Sequence, residues 1–377
     1  MDLNLTEQQE MVRRTARDFL DRECPTSFVR EMEKDSRGVA FSLWQRLGEL
    51  GLLGMAFPEE HGGGGQTLLD FIIVLEELGR AMFPGPVAQT VTGTGFAVLE
   101  FGDDAQRRRF LPGIAAGESL AALAFLEPQT SYNDTGISME ARARDTGFVL
   151  DGTKMFIPYA DSVDLFVVAA RTAGEPHDTE GVTVLLVDAR SSGIEIEPLQ
   201  VRGRDRPHAV HFKNVTAPGD GLLGEAGKGW DIVDRVRSLS ALAQCGEAVG
   251  AMAAVSDMTI EYAKSRVQFG RPIGTFQAVQ RHCTDMWSDT EGARYLTYEA
   301  AWRISQGIPA RKEVAMAKSF VSDASRRVME SAHQVHGAIG LTDEHDLTMY
   351  NRRMTAAAVN YGDATFYREV VAEEMGL

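Results

Sequence analysis

The spacing of apolar residues changes twice along these 377 residues, and no other feature constrains the fold as much. Up to about residue 120 the apolar positions recur at helical spacing. Thr6 and Gln9 are placed for a capping box ahead of a helix that contains Met11, Val12 and Phe19. A second helix over 41–50 meets Gly51 and Gly54, where helix C-termini favour glycine. PEEHGGGG (58–65) reads as a loop, because four consecutive glycines are costly to hold in a helix or strand. FIIVLEELGRA (71–81) resumes a helix, and FGDDAQRRRFLPGIAAGE (101–118) predicts a short one closed by Pro112 and Gly113.

Near residue 121 the texture turns to short β-rich runs. FVLDGTKMFI (148–157) predicts two strands joined at Asp151-Gly152, a favoured hairpin turn. DLFVVAAR (164–171), VTVLLVD (182–188) and AVHFKNV (209–215) predict further strands, and such spacing points to a small β-barrel or sandwich. From Trp230 the helical period returns. Gly246 and Gly250 lie one turn apart on a long helix, as expected where two helix backbones pack closely. Another helix runs from Arg311 to Val335. The fold class is therefore α+β, mainly α, with domains at 1–120, 121–228 and 229–377.

With 44% hydrophobic and 24% charged residues, the chain has the balance of a soluble globular protein. A formal net charge of -16 argues against a nucleic-acid surface, which needs a basic stripe. It also means that any phosphate-rich ligand must be held by local Arg or Lys clusters or by helix N-termini. Cys24, Cys245 and Cys283 are scattered, with no metal-ligand spacing, so no metal site is expected. They read as free thiols in a reducing cytoplasm. The start MDLNLTEQQE has no apolar core of a signal peptide. No apolar run approaches the ~20 residues of a membrane span. A cytoplasmic protein with no membrane partner is the expectation.

Four segments carry a family likeness: ELGLLGMAFPEEHGGGG (49–65), LLGEAGKGW (222–230), RVQFGRPIGTFQAVQ (266–280) and QVHGAIG (334–340). Together, in this order and at these separations, they resemble the acyl-CoA dehydrogenase family of flavoproteins. The resemblance implies FAD as cofactor and a homotetramer or heterotetramer. It also implies a helical N-terminal domain, a β middle domain and a C-terminal four-helix bundle. Arg266 matches the arginine that reaches the pyrophosphate of a neighbouring subunit's FAD, while Phe269 and Gln277 match aromatic and amide contacts in that interface. Gln334 through Gly340 match a turn whose backbone approaches the cofactor, with Gly337 and Gly340 permitting the approach and Ala338 standing where a second glycine is common. A plain helix-ending glycine is the alternative for Gly337.

The implied reaction forms a 2,3-enoyl-CoA from an acyl-CoA substrate, with hydride passing to FAD and an electron-transferring flavoprotein as acceptor. On the flavin-facing side this chain departs from the family. Leu126-Glu127-Pro128 stands for Thr-Glu-Pro, and 129–134 (QTSYND, with Tyr132) replaces a small Gly-Ser turn. Phe156-Ile157, matched to the flavin-contacting pair, is followed by Pro158, which has neither hydroxyl nor N–H. The family's C-terminal catalytic Glu aligns with Tyr361, which leaves Asp363 as the nearest acid. A second family branch places its Glu where this chain has Ser240, and Glu247 lies two turns further on roughly the same helix face. For Glu247 a carboxylate paired with an Arg is the alternative. Three functional readings stay open. The chain is a self-sufficient acyl-CoA dehydrogenase; or it is the non-catalytic partner in an α2β2 enzyme acting on fatty or sterol-side-chain acyl-CoAs; or it is a flavin oxidase or monooxygenase on the same fold.

Overall fold

The structure is a computed structural model that describes residues 4–129, 136–201, 203 and 206–377. Helix α1 (Glu7–Glu23) begins with the expected capping box: the Thr6 hydroxyl accepts the Gln9 N–H, and the Gln9 side chain accepts the Thr6 N–H. Helices α2 (Thr26–Met32) and α3 (Phe41–Glu49) follow, and α3 stops at Gly51, whose φ is 70°. The glycine-rich segment folds as one tight turn (Glu59–His61) and loop. Helix α4 (Leu68–Arg80) starts at a second capping box, Thr67 with Asp70, and is buried along nearly its whole length. A π-helical run, Ala88–Gly95, leads into α5 (Phe96–Phe101) and α6 (Asp104–Ala115).

Helix α6 does not close at Pro112 as the sequence predicts. It runs through that residue and ends at Gly117, φ 72°. In a helix's last turn a proline forfeits a single N–H and its ring displaces little, so the break falls at the next left-handed glycine.

The strands form one mixed sheet in the order β6-β7-β3-β2-β4-β5-β8, with β1 beside β4. Their spans are β1 Ala121–Ala124, β2 Glu140–Arg144, β3 Gly147–Pro158, β4 Leu165–Arg171, β5 Val182–Asp188, β6 Ile194–Pro198, β7 Pro207–Pro218 and β8 Leu222–Leu223. Only the Glu140–Arg171 pair joins β2 to β4. The sheet curls there, so that Phe166 of β4 meets Phe212 of β7 edge-on at 6.3 Å, although two strands separate them in the sheet order.

The predicted hairpin turn at Asp151-Gly152 is instead the middle of β3. The turn between β2 and β3 falls at 145–146, where Arg144 pairs with Gly147. Gly152 has φ 151° and sits where the register with β7 slips between Leu150 and Gly152. The Asp151 carboxylate accepts the Asn214 N–H at 3.2 Å, on the partner side of the slip. The Asp-Gly pair thus makes a β-bulge, the other use a strand has for glycine.

Helices resume with α7 (Trp230–Ser265), a short hairpin of β9 (Val267–Gln268) and β10 (Arg271–Pro272), α8 (Gln277–Ser305), α9 (Arg311–His336), α10 (Leu347–Val359) and α11 (Ala364–Glu374). One 18-residue window of α7 reaches a mean hydropathy of 1.2, enough by composition for a membrane span, but 78% of that window is buried inside the protein. Its apolarity is spent on neighbouring helices.

The closest of those contacts is with α4. A Cβ at Gly79 would lie 1.9 Å from the Glu247 carbonyl oxygen, and one at Gly250 would lie 1.7 Å from that of Glu76. These glycines let two backbones touch, as the Gly246/Gly250 spacing predicts. Around the contact, Glu76 accepts from Arg294 (3.0 Å) and the Tyr298 hydroxyl (2.7 Å), and Glu77 pairs with Arg17 at 2.7 Å. Gly250→Ala is expected to destabilise the fold by about 1–3 kcal/mol, the usual penalty of overpacking. A urea midpoint equal to that of the parent protein would refute the backbone contact.

Candidate active site

Because Gly79 seats the Glu247 backbone against α4, the Glu247 side chain is directed into a cavity of ≈ 100 Å³. The wall is mostly apolar, with Leu78, Met82, Phe83, Val87, Ala248 and Met354 among its residues. Its polar groups are Gln89, Tyr159, Gln244, Arg353 and Asn360. Removal from water pushes the Glu247 carboxyl up to about 7; the Arg353 guanidinium and a hydrogen bond from Gln244 pull the other way. The Gln244 amide donates to Oε2 at 2.8 Å, and among the described residues Oε1 accepts no hydrogen bond. One oxygen is held while the other remains open, the arrangement a proton acceptor needs. The sequence alternative of an Arg ion pair is not what forms, since Arg353 instead donates to the Phe83 carbonyl at 3.1 Å.

Asp363 is placed elsewhere. It is exposed and caps α11, with Oδ1 accepting the Phe366 N–H at 2.8 Å. It lines a separate cavity of ≈ 580 Å³ with Arg326, His333 and Arg368. Of that chain segment, Asn360 is the residue that reaches the Glu247 cavity. Tyr361 has φ 61° and its carbonyl accepts the Tyr367 hydroxyl.

The residues matched to the nucleotide end of FAD gather at one end of the helical bundle. The Tyr262 ring, one turn before the end of α7, stacks on His336 at the end of α9 with centroids 4.5 Å apart. That stack sets Arg266 near Gln334 and the turn beyond it. Arg266, Gln277 and Gln334 are exposed, and among the described residues their side chains make no hydrogen bond. Phe269 tips the β9–β10 hairpin at φ 53°, is 91% exposed, and touches Phe276 edge-on at 6.0 Å. Gly337 ends α9 at φ 64°, ψ -144°, a conformation essentially reserved for glycine. Ala338 is exposed, whereas Gly340 is buried so tightly that a Cβ would come within 2.9 Å of that of His336.

On the sheet, Phe156 sits in a second bulge of β3, between Lys154 and Ile157, at φ 55° and 54% exposed. Ile157 turns its side chain into the core, at 1% exposure. The bulge is anchored beneath by fully buried Lys154, which donates to Glu127 at 2.7 Å and to the Phe125 carbonyl at 3.2 Å. Glu127 also accepts the N–H groups of Ser138 and Met139. Burial works against its charge, but Lys154 and these donors hold the carboxyl below its usual range. The Met155 N–H donates to the Leu126 carbonyl at 2.9 Å, tying the Leu126-Glu127-Pro128 turn to β3. Of the replaced segment 129–134, residues 130–134, Tyr132 among them, lie outside the described residues.

Family models for the acyl-CoA dehydrogenase N-terminal, middle and C-terminal domains match residues 6–118, 122–215 and 227–376. The chain is 30% identical to the short-chain specific acyl-CoA dehydrogenase of Megasphaera elsdenii over 93% of its own length and 94% of the relative's. The chain belongs to the acyl-CoA dehydrogenase family. The mitochondrial short-chain specific enzyme of Bos taurus is also 30% identical, covering 98% of this chain and 90% of its own. The solved structure of butyryl-CoA dehydrogenase from Megasphaera elsdenii superposes with a TM-score of 0.93 at 28% identity, covering 100% of both chains.

Within this acyl-CoA dehydrogenase fold the sequence offered Glu247 as a candidate but not its surroundings. Gln89 lies in a π-helical run that no periodicity announces, and Arg353 points inward from a helix whose sequence, LTMYNRRMTAAAV, does not say which arginine faces the core. Asp363→Ala is expected to cost about 0.5–2 kcal/mol of stability through the lost cap, and Asp363→Asn to cost little. Thermal melts check both, and loss of turnover in Asp363→Asn would restore Asp363 as the base.

Proposed function

We propose that the protein acts as an FAD-dependent acyl-CoA dehydrogenase in which Glu247 removes the α-proton of an acyl-CoA thioester. The observation that carries this reading is an open carboxylate oxygen in an apolar cavity, with its carboxyl raised to about 7 by burial. The same wall includes Tyr159, three residues past Phe156, so the cavity adjoins the strand end that the resemblance sets against the flavin. An acyl chain entering the cavity displaces water and makes Glu247 a stronger base. Gln244 holds the carboxylate by Oε2 and leaves Oε1 to meet the proton.

The residues present fit FAD at its nucleotide end. The side chains of exposed Arg266, Gln277 and Gln334 make no hydrogen bond among the described residues, and the Phe269 ring, 91% exposed at the hairpin tip, offers an apolar face beside them. FAD, when bound, accepts the hydride that leaves the β-carbon. Arg266 supplies the fixed, forked charge that a pyrophosphate needs on a chain of net charge -16. In this reading the β9–β10 arm closes over FAD of a neighbouring subunit in a homotetramer or heterotetramer. An electron-transferring flavoprotein takes the electrons onward. The unbridged cysteines, two of them buried, suit the cytoplasm.

Buried Pro158 and half-buried Leu126 offer the flavin no side-chain donor, and this favours a second reading, the partner subunit of an α2β2 enzyme. Flavin content separates the two. Purified alone, a self-sufficient enzyme carries close to one FAD per chain, and Arg266→Ala lowers that ratio without changing the far-UV spectrum. A colourless chain that turns yellow only with a second family member makes the partner reading correct. Flavin retention unaltered by Arg266→Ala removes Arg266 from the site.

Proton abstraction by Glu247 has its own signature. A base works only unprotonated, so kcat/KM is expected to rise with pH through an apparent pKa near about 7. Glu247→Gln is expected to lower kcat by about 10²–10⁴-fold while FAD is retained. A variant with full turnover would require another base.

A further inference from the structure

The cavity that holds Glu247 contains more polarity than proton abstraction uses. Gln89 is 7% exposed, and among the described residues its buried Oε1 has no hydrogen-bond partner. The buried Arg353 Nε likewise has none among them, while its Nη1 donates to the Phe83 carbonyl. Both side chains line the one cavity, amid apolar neighbours such as Met82, Val87 and Met354. Gln244, by contrast, is committed to Glu247. Buried polar atoms are nearly always satisfied, and an exception that faces a cavity calls for a partner that enters it, a water or a ligand group. A plain alkyl chain would seal off an acceptor on Gln89 and a donor on Arg353 with nothing to offer either.

We propose that the acyl group taken by this cavity carries a hydroxyl substituent beyond the β-carbon, bound by Gln89 and Arg353. A hydroxyl donates to the Gln89 oxygen and accepts from the Arg353 N–H, so one substituent answers both unfilled groups. The π-helical run that begins at Ala88 supports the assignment: such turns recur at functional sites, and this one delivers Gln89 to the cavity wall. The inference rests on the acyl-CoA dehydrogenase reading and deepens it by naming a substrate class. It gives Gln89 and Arg353 the role of selecting the substrate and assigns them no part in the proton transfer.

The test compares a medium-chain acyl-CoA with the same thioester bearing a hydroxyl at successive carbons beyond the β-carbon, using the FAD-loaded protein. At one position the hydroxylated ester is expected to show at least about a 10-fold higher kcat/KM, because a site built to bond a hydroxyl rejects the analogue that lacks it. Gln89→Leu is expected to bring that ratio close to one, mainly by improving the plain chain. Calorimetric binding of the two esters reads the same preference independently of turnover. Equal or better binding and oxidation of the plain ester would overturn the inference and leave the dehydrogenase reading standing, with water as the occupant of the polar end. Failure of both esters to bind would remove the function itself.

Discussion

The backbone contact between α4 and α7 is the constraint on which the site depends. Hydrogen-bonded helices cannot approach to touching distance through side chains, so the sequence removes them at Gly79 and Gly250. With the Glu247 carbonyl seated on Gly79, the rotation of α7 about its axis is fixed, and the side of α7 that carries the Glu247 side chain faces the cavity. The buried pairs at Glu76 and Glu77 then lock α4 to α8 and α1 around the same point. Removing one member of such a pair leaves an uncompensated charge in the interior, so slippage there is strongly opposed. A proposed base is only as well placed as the elements beneath it, and Glu247 stands where the backbones of α4 and α7 touch.

The nucleotide end of the site follows the opposite strategy. Arg266, Phe269, Gln277 and Gln334 are held by short-range devices, a two-residue hairpin and a helix-end glycine, and their side chains are left facing outward. Such an arrangement suits a ligand gripped between two chains, where final ordering comes with assembly. It also solves the charge problem. A chain at -16 repels a pyrophosphate at long range, and screening over about 8 Å at physiological salt leaves local arginines to decide.

Much of this architecture was legible in the sequence because it rests on local rules. Thr6 with Gln9, Gly51 and the Gly246/Gly250 spacing each act over one turn of helix, and each appears as read. The misreadings are places where one residue type serves two purposes. Asp151-Gly152 satisfies a hairpin turn and a bulge equally well, and only the partner strand β7 decides between them. Pro112 ends a helix in mid-span but is tolerated in a last turn, and the chain beyond it decides. In the site, the two interface segments, 266–280 and 334–340, were readable as motifs, whereas Gln89 and Arg353 come to one cavity only through tertiary folding across more than half the chain. Nothing in their local sequence distinguishes them from solvated polar residues.

The same reasoning accounts for the contrast between Glu247 and Asp363. A carboxylate can serve as base where its ionised form is poorly solvated and its position is fixed. Asp363 fails on the first count: it is exposed, and its Oδ1 accepts the Phe366 N–H as the cap of α11. Tyr361, at the turn before it, has a backbone already committed to a left-handed conformation and a bond from Tyr367. A base carried by that turn would depend on a short loop for its placement. Glu247 lies in the interior of a 36-residue helix, at one of its two backbone contacts with α4. The proposed role as base draws on this: substrate entry changes the solvation of the carboxylate while the backbone that carries it stays fixed.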